Sequence, residues 1–471
     1  MLGIRGRRRP EDDVQEADVL QALRQVRDPD LHRDVVTLGF VKNVRICGGA
    51  VALDLELTTP ACPVRDRLRA EAEAAVAAIP GVTQVTVNLT SRVRSRQGQA
   101  ASELPGVRNI VAIASGKGGV GKSTAAVSLA VALAETGAKV GLMDADVYGP
   151  TIPTMMGAFG RPSTSGQRMA PIQAYGVRLM SLGFLAGDDS PIIWRGPMAS
   201  KLIQEFLGSV DWGELDYLLI DLPPGTGDVQ LTLVQAAAIS GAVIVTTPQD
   251  VALSIARRGL RMFQETSVPV LGVIENMSGY VCPHCGKISY VFPHGGVART
   301  CQEMGVPHLG AIPLDPKLAV CGDKGVPISV LDPDSPAAKA YAQIAGAMAA
   351  RLSALAEGSL PAPTRPVRMQ DRDGGALEVE WEDGHVSVYP YRELRAACRC
   401  ANCCDEDTGE VRIASDSIPA DIRPLSISPV GRYAITIRWS DGHDTGIYPF
   451  SRLRAMCGCA ECTDVRNQHT K

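Results

Sequence analysis

Hydrophobic positions along the chain fall into three stretches of different rhythm, separated by two segments in which no rhythm survives. Residues 15–90 open with helical spacing (Val19, Leu20, Leu23, Val26), followed by alternating runs at 51–57 and 82–87 with an Ala-rich helical segment between them. That pattern predicts a small α+β domain. Residues 91–106, rich in Ser, Gln, Arg and Ala without an apolar period, predict a linker. From Asn109 continuous apolar runs at 110–114, 140–143, 217–220, 242–247 and 270–274 alternate with helical segments. Runs of that kind suit strands buried on both faces, so residues 107–355 predict an α/β domain with a doubly wound parallel sheet. Residues 358–368, with Pro361, Pro363 and Pro366, break every period and predict a second linker.

The last stretch, 370–466, repeats itself. Glu380-Trp381-Glu382-Asp383-Gly384-His385, Tyr389-Pro390-Tyr391, Leu394-Arg395 and Cys398-x-Cys400-x-x-Cys403 recur as Arg438-Trp439-Ser440-Asp441-Gly442-His443, Tyr448-Pro449-Phe450, Leu453-Arg454 and Cys457-x-Cys459-x-x-Cys462. The register slips only by one residue between His443 and Tyr448. Each copy predicts a β-hairpin turning at Asp-Gly and a short helix that ends at the cysteines, giving a small β-rich Cys/His domain.

Length and charge narrow the classes of function. A chain of 471 residues is too long for one core and fits roughly three compact units. The net charge of -4 and pI near 6.0 give no electrostatic footprint for nucleic acid. No apolar run approaches the ~20 residues that span a bilayer, and the start lacks a signal peptide's apolar core, so a cytoplasmic protein is expected. Arg5, Arg7, Arg8 and Arg9 are followed at once by Glu11, Asp12 and Asp13, which reads as a frayed terminus. Nine of the 13 cysteines are clustered, which in a reducing compartment points to metal ligation before disulfides.

Between a predicted strand and a predicted helix lies Gly116-Lys117-Gly118-Gly119-Val120-Gly121-Lys122-Ser123-Thr124, a P-loop in its expected context. Its glycines let backbone N–H groups close on phosphate oxygens, Lys122 reaches the β/γ-phosphates, and the Ser123 hydroxyl can ligate Mg²⁺ at a helix N-terminus. The second lysine, Lys117, is the mark of the ParA/MinD/nitrogenase-iron-protein class, which this domain resembles over nearly its whole length. The resemblance implies that Lys117 reaches the phosphates of a facing protomer. It also implies that Asp221 supports Mg²⁺ from the outer sphere, that Asp146 orients the attacking water, and that Asn276 contacts adenine. ATP over GTP rests on this resemblance.

Cys282-Pro283-His284-Cys285 supplies two thiols where a [4Fe–4S] cluster or Zn²⁺ needs about four, so a symmetric dimer would complete the set. A redox dithiol and a zinc knuckle, the latter favoured by Gly286-Lys287, use the same residues. The ordered set of P-loop, Asp144-Ala145-Asp146-Val147-Tyr148-Gly149-Pro150, the segment from Asp221 to Asp228, Asn276-Met277-Ser278 and then Cys282 and Cys285 resembles the ApbC/Mrp family of iron–sulfur carrier ATPases. That family's homodimers hold a cluster between Cys-x-x-Cys pairs and pass it to apo-proteins, with cluster-assembly scaffolds as further partners. The first domain, with Asp28-Pro29-Asp30 and Thr58-Thr59-Pro60-Ala61-Cys62-Pro63, resembles the small cluster-assembly domain fused to many members, which makes Cys62 a candidate cluster-handling thiol.

The last domain resembles the N-terminal domain of γ-butyrobetaine dioxygenase, also fused to chloroplast-type carriers. In that domain a histidine from the later hairpin completes the Cys trio, which implies a Cys₃His zinc set of Cys398, Cys400, Cys403 and His443. The repeat adds the expectation that Cys457, Cys459 and Cys462 pair reciprocally with His385, while Cys404 is surplus. No facial triad accompanies the domain, so hydroxylation is set aside. The runner-up function is a MinD/ParA-like partition or spatial-regulation ATPase acting on DNA or membrane, which has no use for Cys282 and Cys285. A reductase like the nitrogenase iron protein is a third reading, with cysteines spaced differently.

Overall fold

The computed structural model describes residues 14–463 apart from 30, 32, 96–103, 147–148, 167, 185–202, 204–205, 226–227, 283, 286, 293–294, 359–364, 401, 405–411, 413–416, 432 and 461. The basic start at Arg5 to Arg9 lies outside them. Among the described residues no helix is long and apolar enough to cross a membrane.

The central unit is built on an eight-stranded sheet. Its strands run in the order His308–Ala311, Val270–Glu275, Gly241–Thr246, Val107–Ser115, Leu215–Asp221, Val140–Asp144, Val177–Ser181 and Ile172–Ala174. All pairings are parallel except that of the last strand. The three central strands are buried almost throughout, which is why they read as continuous apolar runs. The helices Lys122–Glu135 and Pro336–Ala356 pack on each other and on the sheet. Register then decides the chemistry. Asp221 lies opposite both Ile113, two residues before the strand that feeds the P-loop ends, and Asp144. The carboxyl ends of three neighbouring strands therefore converge, as ligand sites of open α/β sheets do.

The first unit pairs Val41–Cys47 antiparallel and Gln84–Ser91 parallel with Ala50–Leu57, under the helices Glu16–Leu23 and Arg65–Ala77. Alternate residues of the middle strand, Val51, Leu53, Leu55 and Leu57, fill its core. It docks on the central unit. The Tyr217 hydroxyl donates to Thr59 Oγ1 at 2.9 Å, Arg94 pairs with Glu357 at 2.6 Å, and Ala354 joins the core of the first unit.

Each copy of the C-terminal repeat is a three-stranded antiparallel sheet followed by a short helix. The first copy comprises Pro366–Arg372, Ala376–Trp381, Val386–Pro390 and helix Tyr391–Ala396; the second comprises Pro424–Val430, Ala434–Trp439, Ile447–Pro449 and helix Phe450–Ala455. Trp381 and Trp439 are fully buried between them.

Several sequence expectations need correction. The hairpins turn at Asp-Gly, but each is preceded by an outer strand. The first copy's outer strand turns at Asp373-Gly374, whose positive φ values of 54° and 68° suit a tight hairpin turn. Residues 366–368, expected in a linker, open that outer strand, and Pro366 is tolerated as the first residue of an edge. The segment expected to link the first two units also contributes to packing, because Val93 and Leu104 enter the central core. The strands Val41–Cys47 and His308–Ala311 carry too little buried apolar surface to show a period.

Two outcomes follow from this packing. A Cβ on Gly346, within the helix Pro336–Ala356, would lie 2.9 Å from the Ala61 carbonyl oxygen. Gly346→Ala should therefore lower the thermal midpoint although alanine gains ~1 kcal/mol in helix propensity; a raised midpoint would show that loop and helix are not pressed together. The second concerns Asp144, which is 1 % exposed. Burial first and the Asp221 charge second push its carboxyl up to about 7. Between pH about 4 and about 7 the unfolded chain releases a proton that the folded chain keeps, so this group lowers stability as pH rises and adds no slope above that window. Asp144→Asn should lose less thermal stability than the wild type between pH 4.5 and pH 8 (both ~); parallel losses would contradict the assignment.

Candidate functional site

The P-loop joins strand Val107–Ser115 to helix Lys122–Glu135, so its N–H groups collect at a helix N-terminus. Two glycines are required by close approach. A Cβ on Gly116 would sit 2.7 Å from Ile255 Cγ2 and 2.8 Å from the Ile255 carbonyl carbon, and one on Gly121 would sit 2.2 Å from Asn276 Nδ2. Gly121 also holds φ at 82°. Lys122 donates to Asp221 Oδ1 at 2.5 Å, and the Ser123 hydroxyl donates to Asp221 Oδ2 at 2.6 Å. Burial pushes the Asp221 carboxyl up and Lys122 opposes that shift. A cation on the Ser123 hydroxyl would thus face Asp221 directly.

Asp146 follows on the loop after Val140–Asp144, half-buried, its N–H bonded to Asp144 Oδ1 at 3.1 Å and its charge felt by Asp221. Asp144 also accepts from Ser181 Oγ at 3.0 Å and from the Ile152 N–H at 3.3 Å. Sequence reasoning gave Asp144 no separate role, because its importance lies in strand register. Lys117 donates to Gln249 Oε1 at 3.1 Å, just before helix Asp250–Glu265.

Asn276 is 5 % exposed. Its Nδ2 donates to the Val120 carbonyl at 2.9 Å and its Oδ1 accepts from the Met277 N–H at 3.0 Å. The side chain holds the P-loop turn, a role that a lone asparagine in a sequence does not announce. The chain then passes through Met277, at φ 58°, into a hairpin of Tyr280–Val281 and Ile288–Ser289. Cys282 and Cys285 sit in that hairpin's turn, Cys282 half-buried and Cys285 exposed. Hydrogen bonds from the His284 and Cys285 N–H groups, then from the Cys285 thiol, lower the pKa of Cys282. Ile288, Tyr290 and Val291 stand more than half exposed beside them. Cys62, at 8 % exposure, packs in the core of the first unit.

In the C-terminal unit the helix ends and hairpin turns cross. His443 Nε2 lies 3.3, 3.6 and 3.8 Å from the sulfurs of Cys398, Cys400 and Cys403. His385 Nε2 lies 3.1, 3.7 and 3.6 Å from those of Cys457, Cys459 and Cys462. Within each set the ligand atoms are all within 4.8 Å of one another. A tetrahedral zinc with its usual bond lengths separates S and N ligands by about 3.6 Å. Cys404 lies outside both sets, its thiol near the Cys398 carbonyl. Arg395, which sequence reasoning passed over, pairs with Asp441 at 2.8 Å and donates to Cys403 Sγ at 3.5 Å. Asp441 Oδ1 in turn accepts from the His443 N–H at 3.0 Å. The signal was available, since Arg395 and Asp441 recur in register as Arg454 and Asp383.

Comparison with known proteins adds the family. Residues 16–87 match the family described as iron-sulfur cluster assembly protein, residues 106–349 that of the NUBPL iron-transfer P-loop NTPase, and residues 368–454 that of the gamma-butyrobetaine hydroxylase-like N-terminal domain. An iron-sulfur cluster carrier protein of Synechocystis is 49 % identical over 342 residues, 71 % of this chain and 97 % of that one. The chloroplastic Fe-S cluster assembly factor HCF101 of Oryza sativa subsp. japonica is 40 % identical over 448 residues, 93 % of this chain and 82 % of that one. Among solved structures, a nucleotide-binding protein in complex with ADP from Archaeoglobus fulgidus is 41 % identical and covers 47 % of this chain and 88 % of that one, with a TM-score of 0.43. A match across more than half of the chain, together with relatives at these identities, means that the chain belongs to the ParA-type family of NUBPL iron-transfer P-loop NTPases.

Proposed function

We propose that the protein carries iron–sulfur clusters to apo-proteins as a homodimer, holding a [4Fe–4S] cluster between two copies of Cys282 and Cys285 and using ATP to control its retention. The observation that supports this most is continuity of backbone. Asn276 braces the P-loop turn, and six residues later the same chain segment delivers the first thiol. A shift of the P-loop on nucleotide binding is thereby felt at the thiol hairpin, with Met277 in left-handed backbone between them. Exposure of Cys285, a Cys282 thiolate favoured by local N–H groups, and the apolar rim of Ile288, Tyr290 and Val291 suit a second copy closing over the cluster.

In this reading Lys122 and the N–H groups of Gly118, Gly119 and Gly121 hold the β- and γ-phosphates, and Lys117 leaves Gln249 to reach the partner's nucleotide. Ser123 and Asp221 hold Mg²⁺, which supplies charge neutralisation at the transferring phosphoryl group. Asp146 orients the attacking water and keeps it in line. Asn276 meets adenine through its remaining N–H. Cys398, Cys400, Cys403 and His443 hold a zinc ion that orders the C-terminal unit. The first unit, with a buried Cys62, serves as a docking module for the scaffold or the recipient.

Anaerobic reconstitution tests the cargo. The wild type should gain iron and sulfide and restore an apo-aconitase, whereas Cys282→Ala/Cys285→Ala should retain under about a tenth of the transferable cluster. A double variant with full cluster content, or a loaded wild type that transfers none, defeats the carrier reading. Lys122→Ala should weaken nucleotide binding by at least about 100-fold. Lys117→Ala should bind nucleotide within about threefold of wild type but hydrolyse it at least about 100-fold more slowly, without nucleotide-dependent dimerisation in ultracentrifugation. Equal hydrolysis rates for Lys117→Ala and wild type would remove Lys117 from the mechanism.

A further inference from the structure

We propose that His385, Cys457, Cys459 and Cys462 form a second closed zinc site, reciprocal to the first, with Arg454 and Asp383 as its positioning residues. The inference goes beyond cluster carriage and does not depend on it. The family pattern implies one zinc, from the first trio and the later histidine; the geometry of this chain supports two.

Convergence is the first argument. The three sulfurs and the His385 nitrogen lie within 4.8 Å of one another, so they address a single ion. The ligands of a [4Fe–4S] cluster bind separate irons and diverge, which this arrangement cannot do. Four protein ligands also leave no open position, the signature of structural rather than catalytic zinc. Ordinary hydrophobic packing of cysteine does not explain the set: Cys457 is 1 % exposed, but Cys459, Cys462 and His385 are only half-buried and still converge.

The surroundings supply the second argument. Three thiolates and a neutral imidazole leave a zinc site with one net negative charge, which a nearby guanidinium balances. Arg454 Nη1 donates to Cys462 Sγ at 3.0 Å. Its other nitrogens pair with Asp383 Oδ2 at 3.1 and 3.2 Å. Asp383 Oδ1 accepts from the His385 N–H at 3.0 Å and so sets the turn that presents the imidazole. This is the arrangement of Arg395, Asp441 and Cys403 at the first site, with the two halves exchanged. Helix Phe450–Ala455 of one half supplies Arg454 and runs into the trio, while the Asp383-Gly384 turn of the other half supplies the histidine. Two metals would cross-link the halves in both directions, in a unit whose own hydrophobic core is small.

The test uses the full chain carrying Cys282→Ala/Cys285→Ala, loaded with zinc and freed of excess metal. Elemental analysis should find two zinc ions per chain, and one in His385→Ala, in Cys459→Ser and in His443→Ala. Thiol mapping avoids reliance on folded variants: in the zinc-loaded chain, Cys457, Cys459 and Cys462 should alkylate at least about 10-fold more slowly than after chelation. Arg454→Gln and Asp383→Asn should keep two zinc ions but release one to a chelator about 10- to 100-fold more readily, and Arg454→Lys should recover part of that loss. A parent chain that holds only one zinc and keeps it in His385→Ala, or a second trio that alkylates equally fast with and without zinc, overturns the proposal.

Discussion

A buried ion pair organises the centre of this molecule. Lys122 and Asp221 meet at 2.5 Å, one 6 % and the other 0 % exposed, at the carboxyl edge of a parallel sheet. Neither charge is tolerable alone in that position, since an unpaired buried ion costs several kcal/mol (~) after relaxation. The pair demands a helix N-terminus on one strand and a carboxylate at the same height on the next. The register of Leu215–Asp221 against Val107–Ser115 and Val140–Asp144 meets that demand. Asp144, brought alongside by the same register, pays with a carboxyl pushed up to about 7. Any phosphate or cation that arrives enters a site whose charges are already set.

From that centre the consequences spread along the backbone. Gly116 has no side chain because helix Asp250–Glu265 crosses directly over it, and Gly121 has none because Asn276 reaches in to the Val120 carbonyl. The residue that steadies the phosphate loop thus begins the segment that ends in Cys282 and Cys285. Nucleotide loop and thiol hairpin are thus joined by one side-chain hydrogen bond and a six-residue stretch of chain.

The C-terminal unit solves a different problem. Its halves are each too small to bury a sufficient core, and they are joined by exchanged parts: Tyr389 donates to the Leu453 carbonyl, Arg452 to the Ala397 carbonyl, and each Asp-Gly-His turn leans on the other half's cysteines. Pseudo-symmetry of this kind comes directly from the repeated sequence. Its energetic meaning comes from the crossing.

Much of this was legible in the residues. Buried parallel strands announced themselves as unbroken apolar runs, the P-loop by glycine spacing between strand and helix, and the paired trios by a repeat that also carried their arginines and aspartates. Short edge strands were not legible, because Val41–Cys47 and Pro366–Arg372 bury few side chains and leave no period to read. Nor were the surroundings of Asp144, Asn276 and Cys62. Sequence alone determined which residues were available for phosphate and metal chemistry, because that depends on residue type and local spacing. Tertiary structure decided which of the others meet, Asp144 with Asp221 through strand register and Asn276 with Val120 through the packing of a strand end, whereas each histidine's pairing with the distant trio was already expected from the repeat and the resemblance. The first two meetings depend on distances between residues far apart in the chain, which no local pattern encodes.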